Sequence, residues 1–479
     1  MDLTRRALLL GSAALASARP TFSRTAETLP QWLADHAHPI HTVDPAEADF
    51  ADLEPIAQAI GKARVVQLGE PSHNAGTCFA AKVRLIKFLH QRLGFDVVVW
   101  ESGIYDVGLV EAGLRAGEDP PAAAQRGILR NWSGSEECRP LFVYAQQSQA
   151  TKRPMAMAGF DSTLTAPFSN LATDLRAFAR LPTRQPLQTD STTAVEELIE
   201  SFDALTRYIE GHNALNDTLL KASGDARKEA FDRWERETGS ALRPNRAMLD
   251  RFTAARARFA ELLRASEREF GQLSSPRQAG LMRRIVESLA ARGANLYQRF
   301  GVDAPPEADG GLAEQNLRDA CNADNLRWLI EQGYPGRKLV IWAHNAHVMN
   351  AYYEAPNWKT IRLDAAANTM KPHGVFLAEW LGRDLYTIGF TAYAGEDGWK
   401  GLGNTPIAPA SAGSIEGQLQ KLGHPYAFLD LRRAGGPLRK AQVMRVPKFD
   451  EVELADPTRP YDGLFFISRM ERGKQIGIG

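Results

Sequence analysis

The chain has 479 residues, 44% of them hydrophobic, enough to bury a core in two or three domain-sized units. Lysine plus arginine and aspartate plus glutamate each number 57, so no net field draws the protein onto nucleic acid or an anionic membrane, and nucleic acid is not an expected partner. The three cysteines, Cys78, Cys138 and Cys321, allow at most one disulfide and lack the spacing of a zinc site, which leaves buried free thiols as their reading.

The opening stretch "MDLTRRALLLGSAALASARP" has a charged pair, Arg5-Arg6, an apolar run from Ala7 to Ala16, and the small-residue sequence Ala16-Ser17-Ala18. An apolar run of about ten residues falls well short of the ~20 a membrane-spanning helix needs. Residues 1–30 therefore read as a signal peptide of the twin-arginine kind with a short leader. The expected mature protein is periplasmic or secreted, with no stable membrane insertion after cleavage.

Six short runs rich in Val, Ile and Leu predict strands: "RVVQL" from Arg64, "DVVVW" from Asp96, "PMAMAGF" from Pro154, "KLVIWAH" from Lys338, "LYTIGF" from Leu385 and "GLFFIS" from Gly463. They alternate little, as strands covered on both faces do in a parallel sheet. Between the first two, Phe79, Val83, Ile86, Leu89 and Leu93 recur at helical spacing and Gly94 closes the helix. The fold class is α/β, a mostly parallel sheet flanked by helices, with working loops at the carboxyl ends of the strands.

From about Ala194 to Phe300 strand signals vanish, and Leu249, Phe252, Phe259, Leu262 and Leu263, then Leu281, Ile285 and Leu289, mark helices. The expected division is a first part of the α/β core over 31–190, a large helical insertion over 191–300 and a second part of the core over 301–479. The polar stretches from Leu181 and from Gly301 read as the linkers at its two ends.

Unusual polar residues collect at the strand ends: Glu70 and His73 in "GEPSHNAG", Glu101 after the second strand, Asp161 after the third, and His344 and His347 in "HNAH" after the fourth. In a parallel sheet those ends lie side by side, so residues far apart in sequence can converge on one cleft. Two chemistries fit. A histidine held by a carboxylate can take a proton from water, its ordinary pKa of ~6.5 lying near working pH. Two imidazoles with two carboxylates from this set can instead hold a divalent metal that acidifies water. HExxH, GxSxG, GxxxxGK[ST] and GxGxxG are all absent, so a zincin, a serine nucleophile elbow and phosphate- or dinucleotide-binding loops have no support. Each residue also has a structural reading: Glu70 as a charge at a helix N-terminus, His344 as a partner of strand backbone, Asp161 as a turn residue.

"VVQLGEPSHNAGTCFAAKVRLIKFLHQRLGFDVVVWESG", "GFDS", "RDACNADNLRWL", "VIWAHNAHV", "LGRDLYTIGFTAY" and "PYDGLFFISR" follow in an order and wording that resemble the erythromycin esterase family, from about Val65 to the chain's end. The resemblance implies an α/β core with a helical insertion and hydrolysis of a small-molecule ester or lactone, the best-known members opening the lactone ring of macrolide antibiotics. It implies His73 as the base that activates water, with Glu70, Glu101 and His344 beside it in catalysis. Supporting or substrate-binding roles fall to His347, Asp161, Arg318 and Asn325, and to Lys82 in preference to Arg84. No metal or other cofactor is expected. The alternatives are a metal-dependent hydrolase on the same residues and a non-catalytic protein that binds a polyketide or saccharide. Family members usually follow GExxH with Gly-Thr and an acid, whereas this chain reads "HNAGTC", which points to a reshaped substrate pocket.

Overall fold

The computed structural model of the protein describes residues 28–221, 224–300, 312–354, 362–363, 369–398 and 405–476. All but the last three residues of the expected leader, and the expected linker from Gly301, lie outside them. Among the described residues no helix is long and apolar enough to cross a membrane.

A nine-stranded sheet runs through the molecule. Its strands are β1 (His38–Ile40), β2 (Val65–Leu68), β3 (Phe95–Gly103), β4 (Ala156–Asp161), β5 (Lys338–Trp342), β6 (Leu385–Asp397), β7 (Thr405–Ile407), β8 (Tyr426–Asp430) and β9 (Gly463–Met470). Their spatial order is β1-β8-β9-β6-β2-β5-β3-β4, with β7 beside β6. The six strands from β9 across to β4 are parallel, and they are the six that the apolar runs predict. β1, β7 and β8 add antiparallel pairings at one side. These were not legible in the sequence, because a three-residue strand containing Pro39 carries almost no pattern.

Successive residues point to opposite faces, and the sheet divides two cores accordingly. Val97 and Val99 belong to one hydrophobic cluster, Val98 and Trp100 to the other. The first face is covered by the helical segment, including α2 (Leu187–Lys221), α3 (Arg246–Ala265) and α4 (Pro276–Phe300), whose Phe202, Phe259 and Val286 are completely buried. The stretch from Leu181 is only partly a linker. Helix begins at Leu187, directly after Pro186, and the Ser191 hydroxyl donates to the Ala179 carbonyl at 2.6 Å, tying the first turn to the preceding helix.

The opposite face is packed by α1 (Gly76–Phe88), whose Phe79 and Ile86 are buried as the helical spacing requires, and which ends in a π-helical turn closed by Gly94 at φ +75°. Three further helices return to the carboxyl rim of the sheet: α5 (Leu312–Trp328), α6 (Asn345–Val348) and α7 (His373–Leu381). β5 inserts between β2 and β3, so the central strand β2 has neighbours reached by connections of very different length. This is the kind of switch point outside which open α/β sheets place their sites.

Candidate active site

β2 ends at Leu68, and the turn that follows is tight. A Cβ on Gly69 would stand 2.1 Å from Asn345 Oδ1, so glycine is required for β2 and α6 to approach. The next residue, Glu70, is completely buried, and its two oxygens are fully used. Oε1 lies 2.8 Å from His73 Nδ1 and accepts from Trp132 Nε1 at 3.0 Å, while Oε2 accepts from Lys82 Nζ at 2.8 Å. Lys82, one turn into α1, is itself wholly buried, with its ammonium 4.0 Å from the centre of the Trp342 ring. Glu70 is thus no helix cap; it is the anchor of a buried triad. Arg84 faces elsewhere, pairing with Asp52 at 2.8 Å, which makes Lys82 the basic residue of this site.

His73 is the exposed member, with 38% of its side chain open to solvent. Its Nδ1 is held by Glu70, and among the described residues its Nε2 has no hydrogen-bond partner. Burial pulls the imidazole pKa down, but the Glu70 hydrogen bond and the charges of Glu101 and Glu70 prevail over that and over the opposing charge of His347, leaving it above the ordinary histidine value.

Glu101 sits where the β3–β4 register shifts, between Trp100 and Gly103. Its Oε2 accepts the His344 backbone N–H at 2.8 Å, and its Oε1 accepts from Arg318 Nη2 at 3.1 Å and lies 3.5 Å from His347 Nε2. Burial pushes its pKa up, yet the charges of His347, His73 and Arg318 and the His344 N–H hold it well below the usual carboxylate range. Arg318, on α5, also grips Asp161 at the end of β4, its Nε donating to Oδ1 at 3.2 Å. The same Asp161 oxygen accepts Thr163 N–H at 3.0 Å, so Asp161 is turn residue and ion-pair partner at once.

His344 caps α6. Its Nδ1 accepts from Ala346 N–H at 3.1 Å and its Nε2 lies 3.2 Å from the Pro71 carbonyl, so the ring is engaged at both ends by backbone, though of a helix and a turn and not of a strand as its structural reading expects. Burial, together with the charges of His73 and His347, lowers its pKa well below the ordinary value and keeps it neutral. It forms a wall edge-on to His73, ring centres 5.1 Å apart. His347 is held by Asp319, with Nδ1 2.9 Å from Oδ1. Burial lowers its pKa, but the Asp319 and Glu101 charges raise it above the ordinary value. Asn325 stands one layer back, donating to the Phe160 carbonyl at 2.9 Å and accepting from Arg284 and Ser288, and so fixes the strand end that carries Asp161.

Eight of the nine residues singled out from the sequence therefore meet at one rim, and the ninth, Asn325, supports it from behind. Sequence reasoning missed three partners: Trp132, Asp319 and His373. Asp319 is adjacent to Arg318 in "RDACNADN" and a helical neighbour of that face; Trp132 and His373 carried no spacing signal. Among the described residues, the group able to offer convergent metal ligands is Asp319, His347 and His373, not Glu70, His73, Glu101 and His344. In the latter set the lone pairs of Glu70 are already taken by donors, one of them a buried cation.

A switch-point cleft lined by histidines and buried carboxylates places the molecule among α/β proteins that carry their site outside the carboxyl ends of parallel strands. Comparison with known proteins narrows this. The model of the erythromycin esterase family matches residues 90–470. A Bacillus subtilis (strain 168) protein, YbfO, whose name includes the word hydrolase, is 25% identical over 408 residues, covering 83% of this chain and 80% of its own. The erythromycin esterase type II of Escherichia coli is 20% identical over 456 residues, covering 92% and 97%. The crystal structure of a mutant of the erythromycin esterase EreC in its open conformation shares the fold with a TM-score of 0.62 at 15% identity, over 91% of this chain and 98% of that one. The chain belongs to the erythromycin esterase family, and with it to hydrolases of the erythromycin esterase kind.

Proposed function

We propose that the protein hydrolyses a carboxylic ester or lactone by general-base activation of water, with His73 as the base. The observation that carries this reading is the Glu70–His73 contact of 2.8 Å. It commits Nδ1 to the carboxylate and leaves Nε2, on the exposed side chain, to receive a proton. Water's oxygen forms a bond to the carbonyl carbon as His73 Nε2 takes its proton. On collapse of the tetrahedral intermediate the imidazolium returns that proton to the departing alkoxide. Lys82 and Trp132 hold Glu70, and Glu70 holds the ring.

Positive charge for the developing oxyanion comes in this reading from Arg318, whose Nη1 lies 3.1 Å from His347 Nε2. His344, engaged at both nitrogens, shapes the wall beside His73. Export belongs to the proposal too, supported by the arginine pair and the short apolar run ahead of residue 28.

The test is turnover of a panel of macrolides, simple lactones and acyl sugars by the parent and by His73→Ala. The variant is expected to fold and to lose about 10²- to 10⁴-fold in rate. Parental rates in a folded His73→Ala protein, or binding with no turnover of any ester, would overturn the proposal.

A further inference from the structure

We propose that Asp319, His347 and His373 form a binding site for a divalent transition-metal ion of the zinc class, next to the proposed hydrolytic site but distinct from its base. The three residues come from α5, α6 and α7, and each offers one ligand atom, all within 4.8 Å of one another. Asp319 Oδ1 lies 2.9 Å from His347 Nδ1 and 3.4 Å from His373 Nδ1. Metal–nitrogen and metal–oxygen bonds of about 2.0–2.2 Å in a tetrahedron give ligand–ligand edges of roughly 3.3–3.6 Å; the 3.4 Å separation fits that, and the 2.9 Å one needs the carboxylate and the His347 ring to part by a few tenths of an ångström.

Hydrogen bonding alone accounts poorly for the arrangement. Asp319 Oδ1 accepts the His373 backbone N–H at 3.1 Å, and both carboxylate oxygens face His347 Nδ1, at 2.9 and 3.0 Å, so the carboxylate is turned to His347 more than to the His373 ring. The His373 side chain is completely buried, and neither ring nitrogen makes a well-formed hydrogen bond, Nδ1 having only the 3.4 Å approach to Asp319 Oδ1. A buried unpartnered imidazole is costly unless its lone pair is used. An ion on Nδ1 uses it and turns the far side of the ring to Phe160, which meets it edge-on with ring centres 5.0 Å apart. The charges permit a dication as well. Three carboxylates, Asp319, Glu101 and Asp161, cluster around one guanidinium, Arg318.

Two imidazoles in a set of three select a zinc-type ion over magnesium or calcium, and the absence of thiolate selects against copper(I). An ion on His347 Nδ1 would fix the orientation of that ring, whose Nε2 lies 3.1 Å from Arg318 Nη1 and 3.5 Å from Glu101 Oε1. The metal would thus help to position Arg318 beside the proposed oxyanion, without being needed to activate water.

The experiment uses the full chain, carrying no polyhistidine tag and purified without chelator. Its metal content is measured by elemental analysis. The stripped protein is then titrated with cobalt(II), read by its visible absorption, and competed with zinc(II). One ion per chain is expected, with a cobalt spectrum of nitrogen–oxygen ligation. His373→Gln should weaken binding by about 100-fold or more, while His73→Ala keeps it. Should His373→Gln fail to fold, the parent's cobalt spectrum and stoichiometry decide alone. A metal-free parent that gives no cobalt spectrum, or unweakened binding in a folded His373→Gln protein, overturns the site. Metal content is read without substrate, so failure of the esterase reading leaves this result standing.

Discussion

Lys82→Met tests how the site is anchored. At 2.8 Å, with both side chains wholly buried, the Glu70–Lys82 attraction is about 6 kcal/mol at an effective dielectric constant of 20, offset by the desolvation of both ions. Removing the ammonium alone leaves the carboxylate buried with hydrogen bonds from Trp132 and His73 but without its lysine, and should cost about 3–5 kcal/mol in urea unfolding followed by tryptophan fluorescence. Glu70→Gln with Lys82→Met removes both charges and should recover about 2 kcal/mol or more of that loss, because residues in direct contact are not additive. Activity should behave differently. The double variant has no carboxylate to orient His73, so its rate should stay roughly 10²- to 10⁴-fold below the parent although its stability returns. If Lys82→Met matches the parent's stability, or the double variant is no more stable than the single, the pair is not the anchor we describe.

The proposed base should also show in the pH profile. His73 titrates above its ordinary value, and only its neutral form accepts a proton, so kcat/KM should fall as pH drops through a point above 6.5. The groups that set it are Glu70, Glu101 and, in the opposite sense, His347; Glu101→Gln removes one raising charge and should move the limb to lower pH, and an unmoved limb would disqualify His73 as the titrating group. Away from the chemistry, burial raises the Asp106 carboxyl to about 7 against backbone hydrogen bonds from Thr165 and Ala166 that lower it. A raised acid favours the fold most below its unfolded value of 3.8, and that contribution is lost as pH rises through about 7. The stability of Asp106→Asn relative to the parent should therefore improve from pH 5 to pH 8, by at most roughly 3 kcal/mol, in paired urea titrations. A difference that does not change with pH refutes it.

The sequence made the parallel core legible because each of its six strands is covered on both faces and so reads as an unbroken apolar run. β1 and β7 escaped because edge strands need only a few residues and carry no such run, and β8, between β1 and β9, has only three apolar residues, Ala427 to Leu429, in its interior. The site was legible for a related reason: a charged residue at the end of a buried apolar run has to be paired, and Glu70, Glu101 and Asp161 each come at the end of one. What could not be read was the pairing itself. That Lys82 turns inward while Arg84, two residues on, turns to Asp52 follows from the rotation of α1 against the sheet. Trp132 and His373 reach the cluster from separate helices, and no periodicity in one sequence reveals that two helices meet.

The sheet itself divides the proposed labour. Glu70 binds Lys82 and Trp132, whose helices line the core that contains Trp100 and Trp342. Glu101, one residue beyond Trp100, follows Val97 and Val99 toward the other core, where α5 and α6 bring Arg318 and His347. The proton acceptor is thus supported from one face of the sheet and the positive charge from the other, and His344 stands between them at the rim. The register shift in β3 matters for this reason. It releases Glu101 from the β4 ladder at the point where its carboxylate must reach both the His344 N–H and Arg318, joining the two halves through one buried anion.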